Sequence, residues 1–319
     1  MSLMLNIEDI APATEDQKKS RVKMRESTTY WQDALKRFSQ NKVAMVSFGI
    51  IVLIAIFAFL GPLAAPYTYE QQIRGSERLF PCFAHPFGTD NLGRDILVRT
   101  MTGTRISLAI GIFCTLIVLV IGTLVGSAAG YLGGWLDNMI MRFCEILYSV
   151  PDILIIIILQ ISMKRFLDSA FPNMTLGSAM VSIFIAFAML YWVNMARMVR
   201  GQILILKQSE YVLAAKALGA SGRRIIQKHL LPNAVGAIIV TAMYQIPVAI
   251  FTESFLSFMG LGASAPLASL GSLANDSLSG LASYPYLMFF PAMLILLIIY
   301  AFNQFGDGLR DALDPRLKE

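Results

Sequence analysis

Two carboxylates occupy positions where ionisation is costly. Asp152 follows Pro151 at the head of "PDILIIIILQISM", and Glu253 closes a charge-free run beside Ser254 and Ser257. Ionisable groups at membrane depth line hydrated paths or pair with neighbours. Each is therefore expected either to line a hydrated cavity that accepts polar or charged groups, or to bond a neighbouring helix as a structural acid. Other chemistries lack their residues. The histidines are two, His85 and His229, with no clustered ligands beside them, so no metal site is expected. A nucleophile–base set does not fall within any apolar run, and there is no Gly-Lys dipeptide and hence no phosphate-binding P-loop.

The elements that must hold these acids are membrane helices. The 319 residues are 56% hydrophobic and 15% charged, with mean hydropathy +0.61, where soluble domains carry about 25% charged residues. Residues 43–69, 106–136, 169–196, 230–252 and 277–306 contain no Asp, Glu, Lys or Arg, and each is long enough to cross about 30 Å of hydrocarbon. A sixth stretch, 139–163, is apolar but interrupted by Arg142, Glu145 and Asp152. Basic residues decide whether it crosses, because Lys and Arg concentrate on the cytoplasmic side. With six spans and an internal N-terminus, segments 1–42, 131–142, 197–231 and 307–319 hold 8, 1, 7 and 3 of the 26 basic residues. Without the sixth span the seven of 197–231 would face outside. The reading is an all-α integral membrane protein with both termini cytoplasmic and spans at about 43–65, 106–130, 139–163, 176–196, 233–260 and 286–306. Asp152 then lies roughly 18 Å from the inner end of its span at about 1.5 Å per residue.

Residues 1–42 form a cytoplasmic tail without the apolar core of a cleavable signal. Its end, "YWQDALKRFSQNK", sets Trp31, Leu35 and Phe38 on one helical face and Lys36, Arg37 and Lys42 elsewhere, as in a helix lying among lipid headgroups. Cys82 is the one cysteine expected outside, so no internal disulfide forms there, and Cys114 and Cys144 fall in spans as packing residues. Gly122, Gly126 and Gly130, four apart, let two helices approach closely.

"SEYVLAAKALGASGRRIIQKHLLPN", Ser209 to Asn233, is the most basic long stretch beyond the tail. Ser209 is placed to cap a helix with Glu210 in its first turn. Gly219 is placed to end that helix in a left-handed turn, and Ser221 to open a second helix running to Pro232. Ala214, Ala215 and Ala217 make the first helix narrow enough to enter a groove on another protein, while Arg223, Arg224 and Lys228 hold the loop inside. An ordinary basic cytoplasmic loop is the competing reading.

"AAKALGASGRRIIQKHLLPN" resembles the cytoplasmic loop signature of ABC importer permeases, Glu-Ala-Ala, three residues, Gly, nine residues, Ile-x-Leu-Pro. Ala214, Ala215, Gly219, Leu231 and Pro232 match it, whereas Leu213 stands for the glutamate and His229 for the isoleucine. "HPFGTDNLGRDILVRTMTGTRISLAIG" (85–111), "FTESFLSFMGLG" (251–262) and "FNQFGDGLRDALDPR" (302–316) are similar to blocks of oligopeptide and dipeptide importer permeases. "APLASLGSLANDSL" (265–278) is closer to the oligopeptide type. The resemblance covers essentially everything after residue 30.

That resemblance implies a type I ABC importer permease fold over 43–319, with the cytoplasmic coupling loop at 201–232. It implies a chain that forms half of a translocation pathway for oligopeptides. Its partners would be a second homologous permease, two ABC ATPases, an extracellular peptide-binding protein and membrane lipid, with no nucleic acid, in a bacterial cytoplasmic membrane. The chain itself would be no enzyme and hold no cofactor, with ATP and Mg on the ATPases. Glu210, Ala214, Ala215, Leu218, Gly219, Ala220 and Ser221 would couple to an ATPase. Asp152, Glu253 and Ser254 would be candidates for the substrate path. Asp90, Arg94 and Asp95 would be candidates for touching the binding protein, with Thr89 or Asp90 favoured as helix caps and Arg94 as the contact. Dipeptides, nickel or murein peptides are alternative cargoes. An ATP-independent secondary transporter is disfavoured because no internal repeat is visible.

Overall fold

A computed structural model describes residues 29–172, 177–262 and 268–313. The described chain is helical, apart from turns and one isolated antiparallel bridge between Thr89 and Asp95. A short amphipathic helix, α1 (Tyr30–Gln40), leads into α2 (Lys42–Phe59), and α3 (Gly61–Ala64) follows as one turn. After a loop come α4 (Ile96–Leu132), α5 (Gly134–Tyr148), α6 (Asp152–Ala170), α7 (Ser178–Leu190) and α8 (Trp192–Leu206). Two short helices, α9 (Glu210–Ala217) and α10 (Gly222–Ile225), precede a π-helical turn (Ile226–Leu230) and the long α11 (Leu231–Phe258). Then α12 (Leu270–Ser277), a 3₁₀ turn and α13 (Tyr286–Leu313) complete the described chain.

Five stretches are long and apolar enough to cross a membrane: Lys42–Phe59, Ile96–Leu132, Ser178–Leu206, Gly222–Phe258 and Tyr286–Leu313. A sixth exists only if α5 and α6 together count as one, and they meet at 89°. The straight span expected over 139–163 is thus a bent pair. The cause lies in Ser149–Pro151. Pro151 has no N–H to continue α5 and pushes Val150 away from helical geometry, so α6 restarts at Asp152 in a new direction.

α4 and α11 form the centre. α4 packs along α8 and against α11, α11 against α13, and α13 against α2, while α6 pairs with α7. The three glycines of α4 let it approach α8 closely. A Cβ on Gly122 would stand 2.5 Å from that of Met195, one on Gly126 2.5 Å from the Ala196 carbonyl oxygen, and one on Gly130 2.9 Å from Cβ of Ile203. Any side chain there would wedge α4 from α8.

In α1, Trp31 and Leu35 stay exposed, whereas Phe38 turns inward and meets the Phe305 ring edge-on at 5.3 Å. The Tyr30 hydroxyl donates to the Leu313 carbonyl, tying α1 to the end of α13.

Candidate functional site

The α9–α10 segment presents side chains outward from a fixed base. Val212 is fully buried in a cluster with Met195, Val199, Ile203, Ile225 and Leu230, so α9 is bolted to α8 and α11 by one residue. Around that anchor Glu210, Tyr211, Leu213, Ala214, Gly219 and Ser221 are exposed, Ala215 and Ala220 half-buried, and Leu218 is 88% exposed. Gly219 sits at φ +80. Its N–H donates to the Lys216 carbonyl and that of Ala220 to the Ala215 carbonyl, the paired bonds of a Schellman ending that favours glycine. The Ser221 hydroxyl accepts from the Arg224 N–H and opens α10. Ser209 has the extended backbone of a cap but makes no side-chain capping bond. The second helix does not stop at Pro232. The π turn passes the Leu231 N–H to the Ile226 carbonyl, and the helix runs on to Phe258.

Two cations brace this surface to the membrane helices. Lys207 donates to the Gly130 and Tyr131 carbonyls at 3.1 Å, closing the C-terminal end of α4, where cations are favoured. Arg200 of α8 grips Asp137 of α5 in a two-pronged pair at 2.5 and 2.7 Å, the strong geometry for guanidinium and carboxylate. These contacts join the base of α9 to α4 and, through α8, to the bent pair. Neither brace was expected from the sequence. Asp137 and Arg200 are 63 residues apart and carry no local signature, although Asp137 ends the charge-free run 106–136.

At the bend a cavity of about 460 Å³ opens, lined by Tyr148, Pro151, Asp152, Leu190, Tyr191 and Asn194. Two helix breaks face each other across it: Ser149–Pro151 between α5 and α6, and Tyr191 between α7 and α8. Irregular backbone at membrane depth is tolerated only inside protein or beside water. The lining is accordingly polar at its breaks. Tyr148 and Asn194 are hydrogen-bonded, and the Tyr191 hydroxyl stands 3.3 Å from an Asp152 oxygen and 3.1 Å from the Thr252 hydroxyl. Asp152 is exposed to this space.

Glu253 is placed otherwise. It is 0% exposed, and its oxygens accept from Ser107 at 2.9 Å, Ser257 at 2.7 Å and Ser254 at 3.4 Å. The Ser107 hydroxyl also receives the Leu270 N–H at 3.4 Å. This cluster ties α4, α11 and the start of α12. Glu253 and Ser254 thus lie enclosed within the chain, with the Glu253 oxygens engaged by three serine hydroxyls.

The loop before α4 also revises expectation. Asp90 is 7% exposed; it accepts backbone N–H groups of Leu92 and Arg94 and pairs with Arg94 at 2.7 Å and Arg99 at 2.5 Å. Asp95, 2% exposed, caps α4 by accepting from the Val98 N–H and bonds His85 at 2.7 Å. Both acids are buried and bonded within the folded loop. The cap is Asp95, not Thr89 or Asp90; the Thr89 hydroxyl instead joins Ser76 and Leu79. Arg94 is the one of the three that remains partly exposed. Cys82 is exposed, Cys114 and Cys144 are buried, and no group of potential metal ligands occurs among the described residues.

Comparison with known proteins gives matches along the chain. Residues 122–319 match the family model described as the binding-protein-dependent transport system inner membrane component. Residues 29–84 match the N-terminal TM domain of oligopeptide transport permease C. The oligopeptide transport system permease protein OppC of Bacillus subtilis is 45% identical, with 92% of each chain covered. The dipeptide transport system permease protein DppC of the same organism is 46% identical over 92% of this chain and 88% of its own. The glutathione transport system permease protein GsiD of Pectobacterium atrosepticum is 39% identical over 91% and 92%. Among solved structures, a chain of the inward-facing MetNI methionine ABC transporter aligns with TM-score 0.51 at 22% identity, covering 65% of this chain and 93% of that one, a likeness of fold.

Proposed function

The chain belongs to the family of binding-protein-dependent transport system inner membrane components, and we propose on that premise that it forms half of the pathway by which an ATP-driven importer carries oligopeptides. The observation that carries the reading is the α9–α10 surface. Tyr211, Leu213 and Leu218 are exposed together on a rigid turn joined to the membrane helices, an apolar patch of the kind that seats in another protein's groove. That groove belongs to an ATPase subunit, which binds ATP and Mg and closes in a rigid-body cycle relayed to the membrane helices. A second, homologous permease supplies the other half of the path, a second ATPase completes the pair, and an external peptide-binding protein delivers cargo.

In this reading the chain crosses a bacterial cytoplasmic membrane six times, the bent α5–α6 pair counting once, with both termini inside and α1 lying among headgroups on Trp31 and Leu35. Asp152 and the cavity around it line the path. Arg94 is the remaining candidate for contact with the binding protein. Oligopeptides are preferred over dipeptides because 265–278 reads "APLASLGSLANDSL". The dipeptide permease at 46% identity keeps dipeptides as the second reading. Purification of the tagged chain from bacterial membranes tests the assembly: a different permease and two ATPase copies are expected to co-purify. A stable homodimer that imports peptide without another permease overturns it.

A further inference from the structure

Asp152 is a carboxylate in an otherwise nearly uncharged cavity, and it has no cation. Among the described residues it makes no ion pair. Its bonds are one to the N–H of Ile153 at 2.9 Å and one from the Tyr191 hydroxyl at 3.3 Å. The first lies at the N-terminus of α6. The Arg197 guanidinium on α8 is already engaged. It stacks on the Tyr148 ring at 4.3 Å and lines a separate recess with Arg142, Glu145 and Arg200. The lining of the cavity includes no Lys, Arg or His. Glu253 shows how this chain treats an acid it means to silence, with three hydroxyl donors and no exposure. Asp152 is left open.

We propose that Asp152 is a specificity-determining counter-charge in the path, which receives the ammonium group of a passing peptide, its free N-terminus or a lysine side chain. The proposal rests on the reading that the cargo is a peptide. An ammonium crossing hydrocarbon without a partner faces a large desolvation cost, and a single carboxylate between two helix breaks offsets it. Tyr191 and Asn194, on the α7–α8 side, offer the polar surface to which the rest of the peptide backbone can bond. Because an external binding protein would capture cargo first, Asp152 acts on the rate of passage and not on the concentration needed for uptake.

The test is peptide uptake by cells whose importer carries Asp152→Asn or Asp152→Glu, with chain levels measured in the membrane. Paired tripeptides are used, one with a free N-terminus and one N-acetylated, neither containing lysine. Asp152→Asn is expected to lower the maximal rate for the free-amine peptide about tenfold, the scale of one lost charge-assisted bond. KM should not change, the acetylated peptide should keep its wild-type rate, and Asp152→Glu should recover most of the loss. A charge-rescue arm covers poor accumulation of the Asn variant. Asp152→Cys, in a background lacking Cys82, Cys114 and Cys144, is modified with an anionic or a cationic thiol reagent, and only the anionic one should restore uptake of the free-amine peptide. Equal loss for both peptides, equal rescue by both reagents, or a wild-type rate in Asp152→Asn overturns the proposal. A wild-type chain that imports no peptide removes the cargo reading instead, and this proposal with it.

Discussion

Glu253 and Asp152 are alike on paper and opposite in space. Both stand at edges of long apolar stretches, and both are acids that a membrane should exclude. Glu253 is enclosed by Ser107, Ser254 and Ser257, with its bonding capacity spent inside the chain. Asp152 stands at an 89° helix break and opens on a cavity. The difference teaches that an intramembrane acid reveals its role by who else has claimed its oxygens. A satisfied acid holds helices together, and an unsatisfied one waits for something that arrives.

The sharpest way to break this comparison is to remove both carboxylates in turn. Glu253→Ala removes the carboxylate that accepts from three serine hydroxyls and opens a void where α4, α11 and α12 meet. The expected cost is about 3 kcal/mol, read as a lower thermal midpoint in detergent and reduced accumulation in the membrane. Glu253→Gln keeps an acceptor and should cost about 1 kcal/mol. Asp152→Ala, in contrast, should leave the midpoint within about 0.5 kcal/mol while impairing uptake. If the two alanine variants shift the midpoint equally, the distinction between closed and open acids is lost.

A second contrast sets the Glu253 cluster against the α9–α10 turn, where stability and activity should separate. Nothing in the chain lies within 4 Å of a Cβ added at Gly219, so Gly219→Asp meets no internal clash. The residue must hold φ +80, which costs about 1 kcal/mol for a side chain, and it places a charge on the surface assigned to the ATPase. Membrane insertion should survive, while uptake and binding-protein-stimulated ATP hydrolysis fall together. Normal uptake by an inserted Gly219→Asp chain would show that this turn does not couple. Ala234 is a poor control for such a test. Although it lies just past Pro232, it is 1% exposed in the same cluster as Val212.

What could be read from the residues was local. The left-handed ending at Gly219 and the cap at Ser221 follow from neighbours within five residues, and both stand where the chain pattern put them. The close approach of Gly122, Gly126 and Gly130 follows from one helical face, although its partner α8 did not show in the pattern. Hydropathy, by contrast, sums composition and is blind to direction. It therefore fused α5 and α6 across Ser149–Pro151, where Pro151 was the signal. At the loop before α4, the residues expected to cap were Thr89 and Asp90, and Asp95 caps instead. The choice of Asp95 was made by His85 and by Arg99 claiming Asp90, contacts that only the folded loop creates.

The smallest effect expected is at the brace between the two contrasted regions. Arg200 and Asp137 join α8, which leads to the α9–α10 turn, to α5, which leads to the Asp152 cavity. Arg200→Lys keeps the charge and loses the fork. The pair is partly exposed, with Arg200 at 32% and Asp137 at 11%, so solvent screens it and the stability loss should be only about 0.5 kcal/mol. If the brace merely adds stability, uptake should fall no more than that figure implies. If it carries motion from the ATPase side to the bend, uptake should fall several-fold while ATP hydrolysis stimulated by the binding protein persists, because the engine then turns without moving the path. Parallel measurement of hydrolysis and uptake in Arg200→Lys decides between these outcomes. Loss of both in proportion would place Arg200 with Gly219 at the docking surface and not between it and the cavity.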